Sequence, residues 1–393
     1  MRANAGGQLS PEEVVGRDDL IKQIWKVLEK QSVVLYSERR IGKTCVIKKM
    51  EAEPSKGFKT IYFDLERIST CTEFFELVYK RISKLYSKTD KTWDIIKKIT
   101  SYFTPTEITI DGVSAKLPKT DGENWKTSVL ETFKRIDGHL DVPLVLFFDE
   151  LPMMIDDLRK REGDTSAMEM LDTLRAVRQE TRQIRMVYTG SIGLHHVVNI
   201  LKKNGDSNEP INDMMKIDVP QLRFEDAVFL AEELIQGEGI EILDINAVAR
   251  NIATDVDRIP YYIQHIIGKA ALESVPLTES RVRTIISSAL TDAADIWNMK
   301  HYLERIKDYY AADDQKIVTT ILDVVAGSEE PLKFDGIFER VKASVVTEDR
   351  DTILELMNLI CQDHYLIKDD EGRYTFTFGI IKRWWKSYRA LVS

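Results

Sequence analysis

Two periodicities alternate along the first 220 residues. From Asp18, the apolar residues Leu20, Ile24, Val27 and Leu28 recur at helical spacing, and the short run Val33–Tyr36 follows. A loop then leads into a helix from Thr44. Thr60–Leu65 reads as a second buried strand, and Phe74, Phe75, Val78 and Ile82 mark another helix. Helical spacing returns at Trp125, Val129, Phe133, Ile136 and Leu140. Leu144–Phe148 is an apolar run closed by Asp149 and Glu150, with helical spacing after it at Met170, Leu171, Leu174 and Val177. Residues 184–189 and Met214–Val219 read as two further strands. Strands that alternate with helices predict a parallel α/β sheet.

Past Pro220 the strand pattern stops. Helices are predicted over 224–236, 244–254, 260–275 and 279–296, then over 313–325, 335–343 and 347–364. The stretch "YLIKDDEGRYTFTF" closes the series as two strands around a glycine-containing turn. Three helices and a hairpin predict a winged helix. The expected division is a core over 1–220, a helical lid over 221–310 and a winged-helix domain over 311–393. Residues about 87–122 read as an insertion in the core, with Asp111-Gly112 as a type I′ hairpin signal. Residues 1–10 are expected to fray.

The chain has 393 residues, long enough for two or three domains. Its net charge of −9 argues against attraction of the whole surface to nucleic acid. Cys45, Cys71 and Cys361 are scattered and odd in number, so they suit neither a disulfide framework nor a zinc knuckle. A reduced, cytoplasmic setting is expected. No apolar run reaches the ~18 residues of a membrane span, and the N-terminus carries no secretory pattern.

The loop after Val33–Tyr36 holds the chemistry. A strand, a glycine-containing loop and Gly42-Lys43-Thr44 at a helix start form a Walker A phosphate-binding pattern. Loop N–H groups and the helix N-terminus offer positive charge to phosphates. Lys43 would reach the β- and γ-phosphates of ATP and Thr44 would bind Mg²⁺. Ser37 replaces the first glycine of the pattern, and Glu38, Arg39, Arg40 and Ile41 fill the loop. Ser37 is tolerable there if its φ is negative. Asp149-Glu150 at a strand end is the matching Walker B pattern. Asp149 would support Mg²⁺ and Glu150 would polarise the attacking water. Thr189 and Ser191 end a strand where a polar group either senses the γ-phosphate or caps the next helix.

With these pieces in place, the chain resembles the archaeal-type P-loop ATPases of the STAND group within the AAA+ class, which are similar to origin-recognition initiator ATPases. The resemblance rests on "VVGRDDL", "ERRIGKT", "LFFDEL", "TGSIGL", "RIPYYI" and "FTFGIIKRWW". It implies an α/β P-loop core, a helical lid and a C-terminal winged helix, with nucleotide between core and lid. It also implies that Val15-Gly16-Arg17 lines the adenine pocket and that Pro260 approaches the nucleotide from the lid. Arg258 stands where the family usually has a glycine. The activity expected is slow, Mg²⁺-dependent ATP hydrolysis in a molecular switch, cycling between ATP and ADP and acting on protein partners or on copies of itself. The alternatives are a non-hydrolysing nucleotide-bound scaffold and an initiator-like DNA-binding ATPase.

Other groups add less. Arg39 and Arg40 either contact phosphate or point to solvent or to the lid. Arg175, Arg178, Arg182 and Arg185 read as a charged helix face, with an arginine finger as the sharper alternative. His195 and His196 read as surface and cap residues, and Trp384-Trp385 as a packing anchor. The helix over 347–364 carries Glu348, Asp349, Asp351, Glu355 and Asp363 against Arg350, which disfavours contact with DNA phosphates.

Overall fold

The structure is a computed structural model and describes residues 1–84, 107–110, 113–116, 124–190, 193–203, 209–273, 275–345 and 349–391. The chain forms two compact units. One comprises Arg17–Tyr36 and Lys43–Val219. The other comprises Met1–Gly16, Ser37–Gly42 and Pro220–Ser393.

The first unit is built on a five-stranded parallel sheet. Its elements are α1 (Asp18–Leu28), β1 (Val33–Tyr36), α2 (Lys43–Ala52), β2 (Lys59–Asp64), α3 (Cys71–Lys84), β3 (Glu107–Ile110), β4 (Val113–Lys116), α4 (Asn124–Asp137), β5 (Leu144–Asp149), α5 (Leu151–Glu162), α6 (Asp164–Glu180), β6 (Ile184–Tyr188), α7 (Leu194–Lys203) and β7 (Met215–Asp218). The sheet order is β2-β5-β6-β1-β7. β5 is buried along its whole length, which is why it reads as a continuous apolar run rather than an alternating one. Phe63 of β2 stacks on Phe148 of β5 with ring centroids 5.1 Å apart, and Phe74 of α3 packs on the same ring. Truncating any of the three to Ala would cost about 3–5 kcal/mol. At the foot of the sheet, Ser32 accepts the Met186 amide on its hydroxyl and the Met215 amide on its carbonyl, both at 2.9 Å. β3 and β4 pair antiparallel. Asp111-Gly112 and most of the predicted insertion lie outside the described residues.

The second unit contains α8 (Phe224–Glu238), α9 (Ile245–Asp255), α10 (Pro260–Ala271), α11 (Glu279–Thr291), α12 (His301–Tyr309), α13 (Ala312–Ala326), β8 (Leu332–Lys333), α14 (Phe334–Ser344), α15 (Arg350–Gln362), β9 (Leu366–Lys368), β10 (Arg373–Phe376) and α16 (Gly379–Tyr388). The last three strands form an antiparallel sheet in the order β8-β10-β9. Trp384 and Trp385 are buried, and the Trp385 indole donates to Asp323 at 2.8 Å, so the pair is a packing anchor. Asp257 accepts the Ile380 amide at 2.7 Å and ties the start of α16 to the turn before α10.

Two helix ends differ from expectation. α10 stops at Ala271 and α11 at Thr291, and α12 was not predicted. Apolar spacing continues through Ile296, but turn chemistry wins. Asp295 and Asn298 take left-handed φ of 51° and 46°. The Asp295 carboxylate accepts the amides of Met299 and Lys300 at 2.6 and 2.9 Å and so starts a new helix. Among the described residues, no helix is long and apolar enough to cross a membrane.

Candidate active site

Every strand of the parallel sheet ends at the same edge, where open α/β sheets bind ligands. Asp149 sits there at the tip of β5, 4% exposed. One carboxylate oxygen accepts the Thr189 hydroxyl in a close hydrogen bond, and the other accepts the Tyr62 hydroxyl at 3.0 Å. Burial and the neighbouring Asp149 charge push the Tyr62 phenol upward, so it stays protonated and donates. The backbone fixes the same tips. Leu65 N–H donates to Asp149 C=O at 3.1 Å, Thr189 N–H to Phe148 C=O at 3.0 Å, and Leu151 N–H to Thr189 C=O at 3.1 Å. Asp149 is therefore held from both neighbouring strands.

Glu150 follows in the left-handed region, at φ 57° and ψ 31°, as the N-cap of α5. A residue with a Cβ pays roughly 1–2 kcal/mol for that conformation. One residue thus ends the strand and starts the helix. Lys43 opens α2 and is buried at 7% exposure, with Thr44 next to it. Burial raises the Cys45 thiol pKa. Lys48 and Arg17 oppose the rise and Asp149 adds to it, so Arg17 and Asp149 both act electrostatically on the first turn of α2. Thr44 and Asp149 supply hard oxygen donors of the kind Mg²⁺ takes, and a carboxylate accepting two hydrogen bonds retains lone pairs for an ion or its waters.

The loop residues Ser37–Gly42 pack within the second unit. Arg40 (φ 71°) and Gly42 (φ 104°) take positive φ, and Ser37 does not. The entry turn therefore does not need the glycine that Ser37 replaces. Its hydroxyl donates to the Glu38 carbonyl at 3.2 Å. A Cβ on Gly42 would meet open space, so backbone conformation alone requires glycine there. Gly16 is constrained twice. Its φ is 69°, and a Cβ would come within 2.7 Å of Asp226. Pro260 is the first residue of α10, where a missing N–H does no harm. Arg258 has φ 58°, so it holds the conformation a glycine would take freely.

The loop side chains go to specific partners. Glu38 is buried and accepts the Arg39 amide at 2.7 Å and the Arg305 guanidinium at 3.1 Å. Arg39 is exposed. Arg40 donates to the Trp297 and Asn298 carbonyls and lies over the Tyr261 ring, 4.3 Å from its centroid. Of the alternatives open for Arg40, the structure shows contact with residues of the predicted lid region. Val15 is half-buried and Ile41 is buried.

Three expectations need correction. Arg178 does not belong to a charged face. It is buried, paired with Asp213 at 2.8 Å, and donates to the Tyr188 hydroxyl at 2.6 Å. His196 is buried rather than superficial, because it lies on the packed side of α7. Asp363 is buried too, so it does not belong to the acidic surface of α15. Ser191 and Glu348 lie outside the described residues. Sequence reasoning missed Tyr62 and Arg305. Tyr62 left a trace as the one tyrosine of β2, whereas Arg305 left none.

No protein-family model matches the chain, and no curated protein matches its sequence. Solved structures do match. The Walker-type ATPase PABY2304 of Pyrococcus abyssi superposes with a TM-score of 0.66 at 13% identity, over 98% of this chain and 100% of that one. The ORC2 protein of Aeropyrum pernix, in ADPNP–ADP complexes, superposes with a TM-score of 0.51 at 12% identity, over 98% and 97%. The chain has the fold of P-loop AAA+ ATPases.

Proposed function

We propose that this chain is a Mg²⁺-dependent ATPase that works as a nucleotide-dependent molecular switch, acting on protein partners or on its own assembly. The observation that carries the reading is the fixing of Asp149 by Thr189 and Tyr62, in the same unit as Lys43 and Thr44. The fold shared with a Walker-type ATPase, and the nucleotide complexes of the ORC2 structure, support ATP and ADP as ligands.

The roles follow from the chemistry. Lys43 and the amides of α2 hold phosphate oxygens by charge and hydrogen bonding. Thr44 and Asp149 would hold Mg²⁺, which when bound neutralises phosphate charge. Glu150 orients and deprotonates the attacking water. Slow turnover suits a switch, because the bound state must outlast the event it signals.

The C-terminal group from α13 to α16 reads as a winged helix, and its charge supports a protein partner over DNA. Asp349, the N-cap of α15, and Asp351 and Glu355 on the helix are exposed. Its one basic residue, Arg350, is paired with Asp335 at 2.7 Å. Such a surface repels phosphates.

The test is ATP turnover and nucleotide retention by the purified protein beside Lys43→Ala and Glu150→Gln. Binding lost in the first variant, and binding kept with turnover lost in the second, is the expected pattern. Wild-type protein that binds nucleotide but never turns it over would replace this reading with a scaffold. Wild-type protein that binds none would end it.

A further inference from the structure

One buried cluster is not used by the catalytic reading. Arg305, on α12, lies between two buried carboxylates. It donates to Glu38 of the loop at 3.1 and 3.4 Å, and to the carbonyl of Asp363, the C-cap of α15, at 3.1 Å. Its guanidinium also covers the Tyr365 ring at 5.2 Å. Two of the neighbouring tyrosines brace the cluster. Tyr310 donates to the Asp363 carboxylate, and Tyr365 donates to the Tyr302 carbonyl at 2.5 Å. Arg40, two residues after Glu38, makes the second attachment through the carbonyls of Trp297 and Asn298. The side chains of Glu38 and of Arg40, itself left-handed at φ 71°, are thus both tied to residues 297–305.

From this geometry we infer that Arg305 is a positioning residue for the phosphate loop and the latch through which the loop's state reaches α15 and the β9–β10 hairpin. The inference rests on the nucleotide-binding reading of the loop. Glu38 brings a carboxylate into a loop whose task is to receive anions. A carboxylate there repels phosphate unless a cation holds and neutralises it, and Arg305 does both. The same guanidinium grips Asp363, so displacement of Glu38 is felt at the end of α15. A ligand that binds the two loop states unequally shifts the C-terminal group with them.

The experiment measures affinity for a fluorescent ADP analogue, and hydrogen exchange of residues 363–376, in the full chain. The proteins are wild type, Glu38→Gln, Arg305→Ala and the double variant. Arg305→Ala is expected to weaken ADP binding about 10-fold. Glu38→Gln in the same chain is expected to restore it, because the unneutralised charge is gone. A merely structural role for Arg305 predicts no such rescue. ADP should change exchange over 363–376 in wild type and leave it unchanged in Glu38→Gln. Additive losses in the double variant, or an ADP response that persists in Glu38→Gln, would overturn the latch. If wild type binds no nucleotide, the proposed function falls, and the latch is judged without ligand. Glu38→Gln must then speed exchange over 363–376, and unchanged exchange overturns it.

Discussion

The hydroxyl of Thr189, at the end of β6, is hydrogen-bonded to the carboxylate of Asp149, at the end of the neighbouring β5. Tyr62 holds the other oxygen from β2, on the opposite side. The carboxylate proposed to support Mg²⁺ is thereby fixed before any ligand arrives. Partners of this kind set the orientation of metal-binding groups.

Thr189→Val keeps the side-chain shape and removes the donor. ATP turnover should fall roughly 10–100-fold, with a higher Mg²⁺ requirement. Turnover measured across a Mg²⁺ titration checks this, and an unchanged Mg²⁺ curve would show that Thr189 is not needed to orient Asp149.

Gly42→Ala meets no steric obstacle, since a Cβ there has no neighbour within 4 Å. Its φ of 104° is still closed to alanine. The loop should therefore shift, and ATP affinity should drop at least ~10-fold while global stability falls only about 1–2 kcal/mol. Isothermal titration and urea melts separate the two effects.

Arg178→Ala removes one half of a buried, hydrogen-bonded ion pair with Asp213. The expected loss is about 3–5 kcal/mol of stability. Because Arg178 faces inward, turnover per folded molecule should not depend on protein concentration. A concentration-dependent loss of turnover would return it to the role of arginine finger.

His301 supplies a pH dependence. Burial pushes its imidazole down to about 3, and the neighbouring Arg305, Arg40 and Arg39 push in the same direction. The Nδ1 nitrogen hydrogen-bonds to the Asn298 carbonyl at 2.6 Å, which raises the pKa only in part. The unfolded chain takes up the proton near the ordinary value and the folded chain does not. Its contribution is complete above the ordinary histidine pKa and is lost as pH falls toward about 3. Between pH 7 and pH 5 the loss is about 2 kcal/mol. Urea unfolding across that range should show the slope in wild type and a flatter one in His301→Gln.

Local sequence determined much of this protein. Apolar runs of three to five residues, set between helical periods, mark β1, β2, β5 and β6, because the centres of these parallel strands are buried and leave no alternation to confuse. Gly42-Lys43-Thr44 and Asp149-Glu150 were legible for the same reason, since each motif needs only its own strand end and helix start. Where short-range turn chemistry competed with periodicity, as at Asp292–Asn298, the pattern misled and α12 was missed. Tertiary structure alone decided the partners. Whether an arginine lies on a surface, as the series from Arg175 to Arg185 suggested, or inside an ion pair, as Arg178 does, depends on Asp213, 35 positions away. Glu38 meets Arg305 across 267 positions, and no periodicity reaches that far. Spacing along the chain places a residue on an element, but charge pairing is settled by which elements the packed core brings together.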